Sequence, residues 1–299
     1  MDYTGKDHVV AAQTLANADY YARAGALEVR CSRSEEEILA AQRLRYRIFY
    51  EEMQASPTAQ IRRERRDMDA YDPVCDHLLV IDHARPPDDR VVGTYRMLRQ
   101  EIAARHGGFY SAQEYDLSSL TGEKFRTRMG AGGQLLELGR SCVHRDYRSH
   151  ATITLLWKGI AGYLHEHGIV YLFGCASLPG TDPDALILPL AYLYHEHRCP
   201  DEFLVRALPE RFAPMDRLAR HEIDVHEARR QLPPLIKGYL RLGCFIGDGA
   251  VVDHQFGTTD VFILLPVERV TKRYSLRFGT PGAVNDSVDA VAAQRRAGG

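Results

Sequence analysis

Two apolar runs, Leu135 to Val143 and Val170 to Ser177, bracket a stretch in which Ile153, Leu156, Trp157, Ile160 and Leu164 recur on one helical face. Gly168 stands where a helix C-terminus favours glycine. Strand, helix and apolar strand in succession make a βαβ unit, whose crossover connection lets the two strands run parallel. The spacing therefore predicts an α/β element at the centre of a sheet. Its first strand is interrupted by Glu137 and Arg140, and the turn after it, His144-Arg-Asp-Tyr-Arg-Ser-His150, is basic. Cations in that position reinforce the free N–H groups that a helix N-terminus offers to an anion.

Ser34-Glu-Glu-Glu37 reads as a capping box, and Ile38, Leu39, Gln42, Arg45, Tyr46 and Phe49 continue at helical spacing, predicting a helix from about Glu35 to Glu52. The charged run Ile61-Arg-Arg-Glu-Arg-Arg-Asp-Met-Asp69 lacks an apolar face and is expected to be a loop or a short helix. His77 to Asp82 and Val91 to Leu98 are β-rich and separated by Pro86-Pro-Asp-Asp89, so they should pair antiparallel. A polar insertion covers Tyr110 to Gly133. Leu232 to Gly243 predicts a proline-started helix closed by glycine, with strands to follow at Ala250 to Asp253 and Asp260 to Leu265. The domain plan is an N-terminal extension over 1–30, a single domain over 31–280 and a disordered tail over 281–299.

The 299 residues carry a net charge of -2, which argues against a nucleic-acid binder and makes any anion binding local. Six cysteines are scattered without a CxxC pair, the pattern of a reducing compartment. The N-terminus lacks the apolar core of a signal peptide, and no run reaches the roughly 20 apolar residues that span a bilayer. A cytoplasmic location is expected.

Glu137 and Arg140 are three apart, so an unbroken strand would aim them at opposite faces. A bulge at Gly139 would turn both to one face and free backbone N–H groups to polarise a carbonyl; a structural ion pair near a sheet edge is the other reading. In the turn, Arg145, Arg148, Ser149 and His150 occupy the position of a pyrophosphate loop. Arg148-Ser-His-Ala-Thr-Ile153 stands where coenzyme A-dependent N-acetyltransferases carry R/Q-x-x-G-x-G/A, without its glycines. A solvated basic turn fits these residues as well. Arg62, Arg63, Arg65 and Arg66 either dock an acidic partner or face water. His165-Glu-His167 and His195-Glu-His197 diverge on a helix and lack further ligands, so no metal is expected. His77 and Asp82 match the HxxxxD of glycerolipid acyltransferases in letters only, because an offset of five on a strand points them apart. No serine-hydrolase elbow is present, and covalent catalysis by Cys142 or Cys175 has no supporting pattern.

Five features follow one another: Arg45 with Phe49, Asp69 with Asp72, Gly93-Thr-Tyr-Arg96, Glu137 with Arg140, then the turn and helix. This succession resembles the acyl-homoserine-lactone synthases, relatives of the N-acetyltransferases that carry RxxxF, DxxD, GxxR and ExxR in that order. Longer segments between about Ile38 and Phe278 resemble the ornithine-acyl-carrier-protein N-acyltransferases. They are Glu137-Leu-Gly-Arg-Ser-Cys-Val143, Leu156-Trp-Lys-Gly-Ile160, Phe173-Gly-Cys-Ala-Ser-Leu-Pro-Gly-Thr-Asp-Pro183, Gly238-Tyr-Leu-Arg-Leu-Gly243 and Val252-Asp-His-Gln-Phe-Gly-Thr-Thr-Asp-Val-Phe262.

What the resemblance implies is a GNAT-like fold of the α/β (α+β) class, a mixed central sheet flanked by helices. It also implies transfer of a 3-hydroxy fatty acyl group from acyl carrier protein to the α-amine of ornithine, giving lyso-ornithine lipid. No tightly bound cofactor is implied. The donor is the phosphopantetheine thioester of acyl carrier protein, and the partners are that carrier, ornithine and the fatty acyl chain, with peripheral contact at the inner membrane face. Glu137 and Arg140 are then the catalytic candidates, with Glu137 as base and bulge N–H groups for the oxyanion. Arg96 or Arg140 would hold the substrate carboxylate. Asp69, Asp72 or Asp253 would take the side-chain ammonium, unless the aspartate pair orients Arg45 and Arg96 through ion pairs. Arg45 and Phe49 complete the substrate-binding set. Arg145, Arg148, Ser149 and His150 face the phosphopantetheine, whose single phosphodiester does not demand a glycine-rich loop. The alternatives are an S-adenosylmethionine-using lactone synthase, an N-acyltransferase for glycine, glutamine or tyrosine, and a carrier-binding module without chemistry. The extent of the chain beyond Pro200 argues against the first.

Overall fold

The computed structural model describes residues 20–270. The chain opens with a hairpin, β1 (Ala22–Ala24) and β2 (Leu27–Cys31), followed by helix α1 (Glu35–Tyr46). Ser34 caps α1, its side chain accepting from the Glu37 N–H, and the helix runs on through a π turn over Arg47–Glu52. The charged run supplies only the short α2 (Ala59–Glu64). Next come β3 (Asp76–Asp82), β4 (Val91–Arg99), β5 (Tyr115–Asp116), β6 (Gln134–Val143), α3 (His150–Glu166) and β7 (Ile169–Pro179). The C-terminal part holds α4 (Ile187–His197), β8 (Arg206–Ala207), β9 (Phe212–Ala213), α5 (Pro234–Leu242), β10 (Phe245–Asp253) and β11 (Thr258–Pro266).

The strands form one mixed sheet in the order β1-β2-β3-β4-β6-β7-β11-β10-β8-β5, with β9 pairing to β10. β6 and β7 run parallel at its middle, as the helix-crossover pattern predicts, and β3 and β4 pair antiparallel. The hairpin β1–β2 pairs onto β3, so the sheet begins inside the segment expected to be an N-terminal extension. The tail expected from residue 281 lies outside the described residues.

Alternate residues of the central strands divide between two cores. One face sends Leu136, Leu138 and Leu172 against Leu156, Ile160 and Leu164 of α3. The opposite face sends Leu135, Phe173 and Phe262 against Phe109, Tyr115, Leu120 and Phe125. The insertion that reads as polar is thus the cover of a second core. Its apolar residues are too sparse to show a period, yet they are the ones that face the sheet.

The central strands do not stay together. β6 and β7 pair from Gln134↔Ile169 to Glu137↔Phe173, after which β7 continues beside β11 as far as Pro179 while β6 continues beside β4. They open as a V. At its vertex a β-carbon on Gly174 would collide with the Leu138 carbonyl oxygen, so glycine is what lets the backbones meet there. A cavity of about 20 Å³ bordered by Leu138, Gly174, Cys175 and Tyr239 lies at this point.

A bulge also forms, one residue later than Gly139 suggests. Thr94 pairs with Cys142 and Arg96 with Gly139, leaving Arg140 and Ser141 together opposite Tyr95. Gly139 stays in the ladder and Arg140 takes the left-handed conformation, with φ 50. A side chain there costs about 1–3 kcal/mol, a strain held only where neighbours over-determine it.

Gly174→Ala should destabilise the protein by about 1–3 kcal/mol through overpacking at the vertex. Gly238→Ala, in α5 with open space around the added carbon, should be neutral or stabilising by up to about 1 kcal/mol. Denaturant midpoints of the two variants check this, and equal midpoints would dismiss the steric account of the vertex.

Candidate active site

α1 points Arg45 inward, with 0% exposure. Its Nε donates to Asp67 Oδ2 at 2.7 Å, and its Nη2 donates to the Asp67 carbonyl at 2.6 Å and to Asp72 Oδ1 at 2.7 Å. From β4, Arg96 Nη1 donates to both oxygens of Asp69 at 2.7 Å. From the bulge, Arg140 Nε donates to Asp67 Oδ2 at 3.2 Å and its Nη2 to Asp69 Oδ2 at 3.3 Å. The Tyr50 hydroxyl adds a bond to Asp67 at 3.0 Å, and the Asp69 N–H adds one to Asp72 at 2.9 Å. Burial alone would raise the Asp69 pKa, but Arg96 and Arg140 more than offset it and hold the carboxyl below its ordinary range. Burial likewise opposes the charge of Arg140, while Asp67, Tyr110 and Asp69 raise its pKa. Asp69 and Asp72 are therefore bound to arginines, and Arg45, Asp72 and Arg96 are buried beneath the site. Arg140 alone of the three arginines keeps appreciable exposure, 15% of its side chain against 0% for Arg45 and 4% for Arg96.

Glu137 projects from β6 onto the face that Arg140 shares. Its Oε2 accepts from the Tyr110 N–H at 2.7 Å, and its Oε1 accepts from the Ser111 N–H at 2.7 Å and from the Ser111 hydroxyl. Arg140 reaches the same segment, donating to the Tyr110 hydroxyl at 3.2 Å with its guanidinium 5.1 Å from that ring. Arg96 lies 5.0 Å from the ring as well. The pair thus falls on one side, as a bulge requires, and both members hold the turn that leads into Glu114. Burial raises the Glu137 pKa, with the donors from Ser111 and Tyr110 opposing.

Glu114 leaves this turn with its carboxylate beside the vertex of the V, its Oε2 3.9 Å from Cys175 Sγ. Burial first, then the nearby Asp260 and Asp253, push its pKa up to about 7, with Arg211 and Arg140 opposing. A half-buried carboxyl that titrates near neutrality has the property a general base needs.

The remaining candidates surround this centre. Phe49 packs edge-on to Phe256 with centroids 5.6 Å apart, and the Arg140 guanidinium sits 5.1 Å from the Phe256 ring. Phe256 is held by Asp253, whose Oδ1 accepts from the Gln255 and Phe256 N–H groups at 2.8 and 2.9 Å. The basic turn lies past the open end of β6. Ser149 caps α3, accepting from the Thr152 N–H at 3.3 Å, while Arg145 and Arg148 are exposed. Arg148 pairs with Glu52 and donates to the Val143 carbonyl at 3.0 Å. The side chain of His150 lies outside the described set. Among the clustered arginines, Arg65 pairs with Glu51, and Arg63 and Arg66 share Glu64.

Asp67, Tyr110, Ser111, Glu114 and Asp260 escape a reading by sequence. Asp260 leaves a trace, an acid heading the apolar run Val261 to Leu265 in a strand. Glu114 leaves none, because nothing in the insertion distinguishes the acid that folds back over the sheet. Arg45→Met should cost about 3–5 kcal/mol, since Asp67 and Asp72 would be left buried without their partner. Urea unfolding reads this as a lower midpoint with unchanged slope; an unchanged midpoint would mean that the network does not support the fold.

The acetyltransferase (GNAT) domain family matches residues 44–158, the stretch that carries all four motif pairs. The L-ornithine N(alpha)-acyltransferase of Brucella abortus (strain 2308) is 49% identical over 86% of this chain and 90% of its own length. That of Agrobacterium fabrum (strain C58) is 46% identical over 88% of each chain, and that of Rhizobium meliloti (strain 1021) 44% identical over 92% of each. With a GNAT fold and identity of this order over most of its length, the chain belongs to the L-ornithine N(alpha)-acyltransferase family.

Proposed function

We propose that this chain transfers a 3-hydroxy fatty acyl group from the phosphopantetheine thioester of acyl carrier protein to the α-amine of ornithine, giving lyso-ornithine lipid. The observation that carries the reading is the identity with ornithine acyltransferases over nearly the whole chain. The geometry supports direct transfer. The neutral α-amine attacks the thioester carbonyl at the V between β6 and β7, and its nitrogen, positively charged as the bond forms, gives one proton to Glu114. A C–N bond forms, the carbonyl oxygen takes the negative charge, and collapse breaks the C–S bond. Protonated Glu114 then returns its proton to the leaving thiolate. Backbone N–H groups that β6 and β7 no longer give to one another would stabilise the oxyanion without reorganisation.

In this reading the base is Glu114 and not Glu137. Both oxygens of Glu137 already accept from Tyr110 and Ser111, whereas among the described residues Glu114 has no donor closer than the thiol of Cys175 and the guanidinium of Arg211 at 3.8 Å. Glu137 becomes a positioning residue. Arg140, the least buried of the three arginines, is the proposed ligand of the ornithine carboxylate. Arg145, Arg148 and Ser149 at the start of α3 would meet the single phosphodiester of the carrier. No helix among the described residues is long and apolar enough to cross a membrane. The amphiphilic product would be handed to the inner membrane face by peripheral contact.

Incubating the purified chain with 3-hydroxyacyl carrier protein and ornithine, glycine, glutamine or tyrosine should yield N-acylornithine as the main product by mass spectrometry. Absence of ornithine acylation would reject the assignment. A base works deprotonated, so kcat/KM should rise with pH through about 7, the value to which burial lifts Glu114. Glu114→Gln should remove that limb and lower kcat by about 100-fold, within the usual range for general-base catalysis. An unaltered profile in the variant would transfer the role elsewhere.

A further inference from the structure

Beyond Arg140 the same face of the sheet carries a second group of polar side chains. Thr258 and Asp260 alternate with Phe262 along β11, so they point to the side that Phe262 covers. The register sets Asp260 opposite Ser177 of β7 and Val251 of β10, and Thr258 opposite Asp253. Directly paired residues project together, which gathers Asp260, Thr258, Asp253 and Ser177 on one face. Asp260 is 9% exposed and Thr258 4%. Asp260 Oδ1 and Thr258 Oγ1 each lack a partner at full hydrogen-bond geometry among the described residues, although the Thr258 and Ser177 hydroxyls lie near enough to favour the Asp260 anion. Buried polar atoms are nearly always paired, so a carboxylate oxygen left without a donor beside a hydroxyl marks a place with room for one.

We propose that Asp260, Asp253 and Thr258 receive the side-chain ammonium of a diamino-acid acceptor and set the specificity of the reaction for it. This deepens the ornithine reading and rests on it. An alkylammonium presents three N–H donors and no acceptor, the complement of two carboxylates and a hydroxyl oxygen. Charge agrees with geometry. Asp260 is destabilised as an anion by burial and by Asp253, with the Ser177 and Thr258 hydroxyls and Arg140 opposing. Glu114 adds a third acid, repelled by both aspartates. Of the cations that face the group, Arg140 is engaged by Asp67 and Asp69, and Arg211 is 46% exposed. A bound ammonium would relieve the repulsion among the three acids.

The strand order suits an amino acid laid across β7. β7 is the strand between β6, which carries Arg140, and β11, which carries Asp260. A carboxylate on Arg140 and an ammonium at Asp260 would leave the α-amine between them, over the part of β7 that has left β6 and within reach of Glu114. A monoamino acid would leave the acids unpaired and lose that anchor.

The full-length protein should be assayed with 3-hydroxyacyl carrier protein against ornithine and against norvaline, which keeps the carbon chain, α-amine and carboxylate but has no side-chain ammonium. The wild type should prefer ornithine. Asp260→Asn should lower kcat/KM for ornithine by roughly 30-fold or more, the usual cost of removing one partner of a buried charge pair, and change norvaline by less than about threefold. Asp253→Asn keeps the turn through its amide oxygen and should act in the same direction, so it decides the matter if Asp260→Asn loses its cooperative thermal transition. Equal losses on both acceptors, or an undiminished preference for ornithine, would overturn the subsite alone. A wild type that leaves ornithine unacylated would overturn the ornithine reading and the subsite with it.

Discussion

The site depends on one buried meeting of charges. Arg45, Arg96 and Arg140 converge on Asp67, Asp69 and Asp72, and each arginine comes from a different element. Removing so many charges from water is expensive, and the attraction among them repays it only when the partners are held at hydrogen-bond distance. That requirement fixes α1, the loop after α2, β4 and the bulge of β6 relative to one another. It also explains why Arg140 is held in a left-handed conformation without being glycine. Its guanidinium is gripped by two carboxylates and two aromatic rings, which offset a backbone strain that the bulge needs in order to aim it.

A hierarchy follows. The charged network sets Arg140, and Glu137 beside it gathers the Tyr110 and Ser111 N–H groups, so the turn that bears Glu114 is hung from β6 at the vertex of the V. In the proposed reading, the pairs that stand out as motifs are mostly the supports of the site. The groups with freedom to act, Glu114 and Asp260, sit at its edge, where burial and mutual repulsion unsettle them. A side chain engaged by several partners is well suited to position others and poorly suited to exchange protons.

This division explains what could be read from the sequence. The βαβ unit, the capped α1 and the antiparallel β3 and β4 come from periodicity and capping, which act over a few residues and leave a local signature. The fold class followed from them and from the resemblance. Glu137 and Arg140 were visible because charges inside an apolar strand are costly, and the bulge was inferred from their spacing. Its location one residue beyond Gly139 was not, because the choice was made by Asp67 and Asp69, over 70 residues away. Glu114 lay hidden in the insertion for the same reason. Its environment is made by β7, β10 and β11, and no local property of the insertion records that contact. The hairpin of β1 and β2 was lost because strands this short carry too few alternations to register.

The proximity of Glu114 to the proposed ammonium subsite couples binding to chemistry. Burial, with repulsion from Asp260 and Asp253 added to it, lifts the Glu114 pKa to about 7, so at neutral pH a large part of the population carries a proton and cannot take the proposed role as base. A cation placed between the acids favours their charged forms and lowers that pKa. By reciprocity, ionised Glu114 binds the cation more tightly than protonated Glu114 does. A diamino acid would thereby generate the ionised base on arrival, whereas a monoamino acid would meet the protonated form more often. Selectivity would then arise twice from one charge, first in affinity and again in the fraction of bound enzyme able to accept the proton of the α-amine.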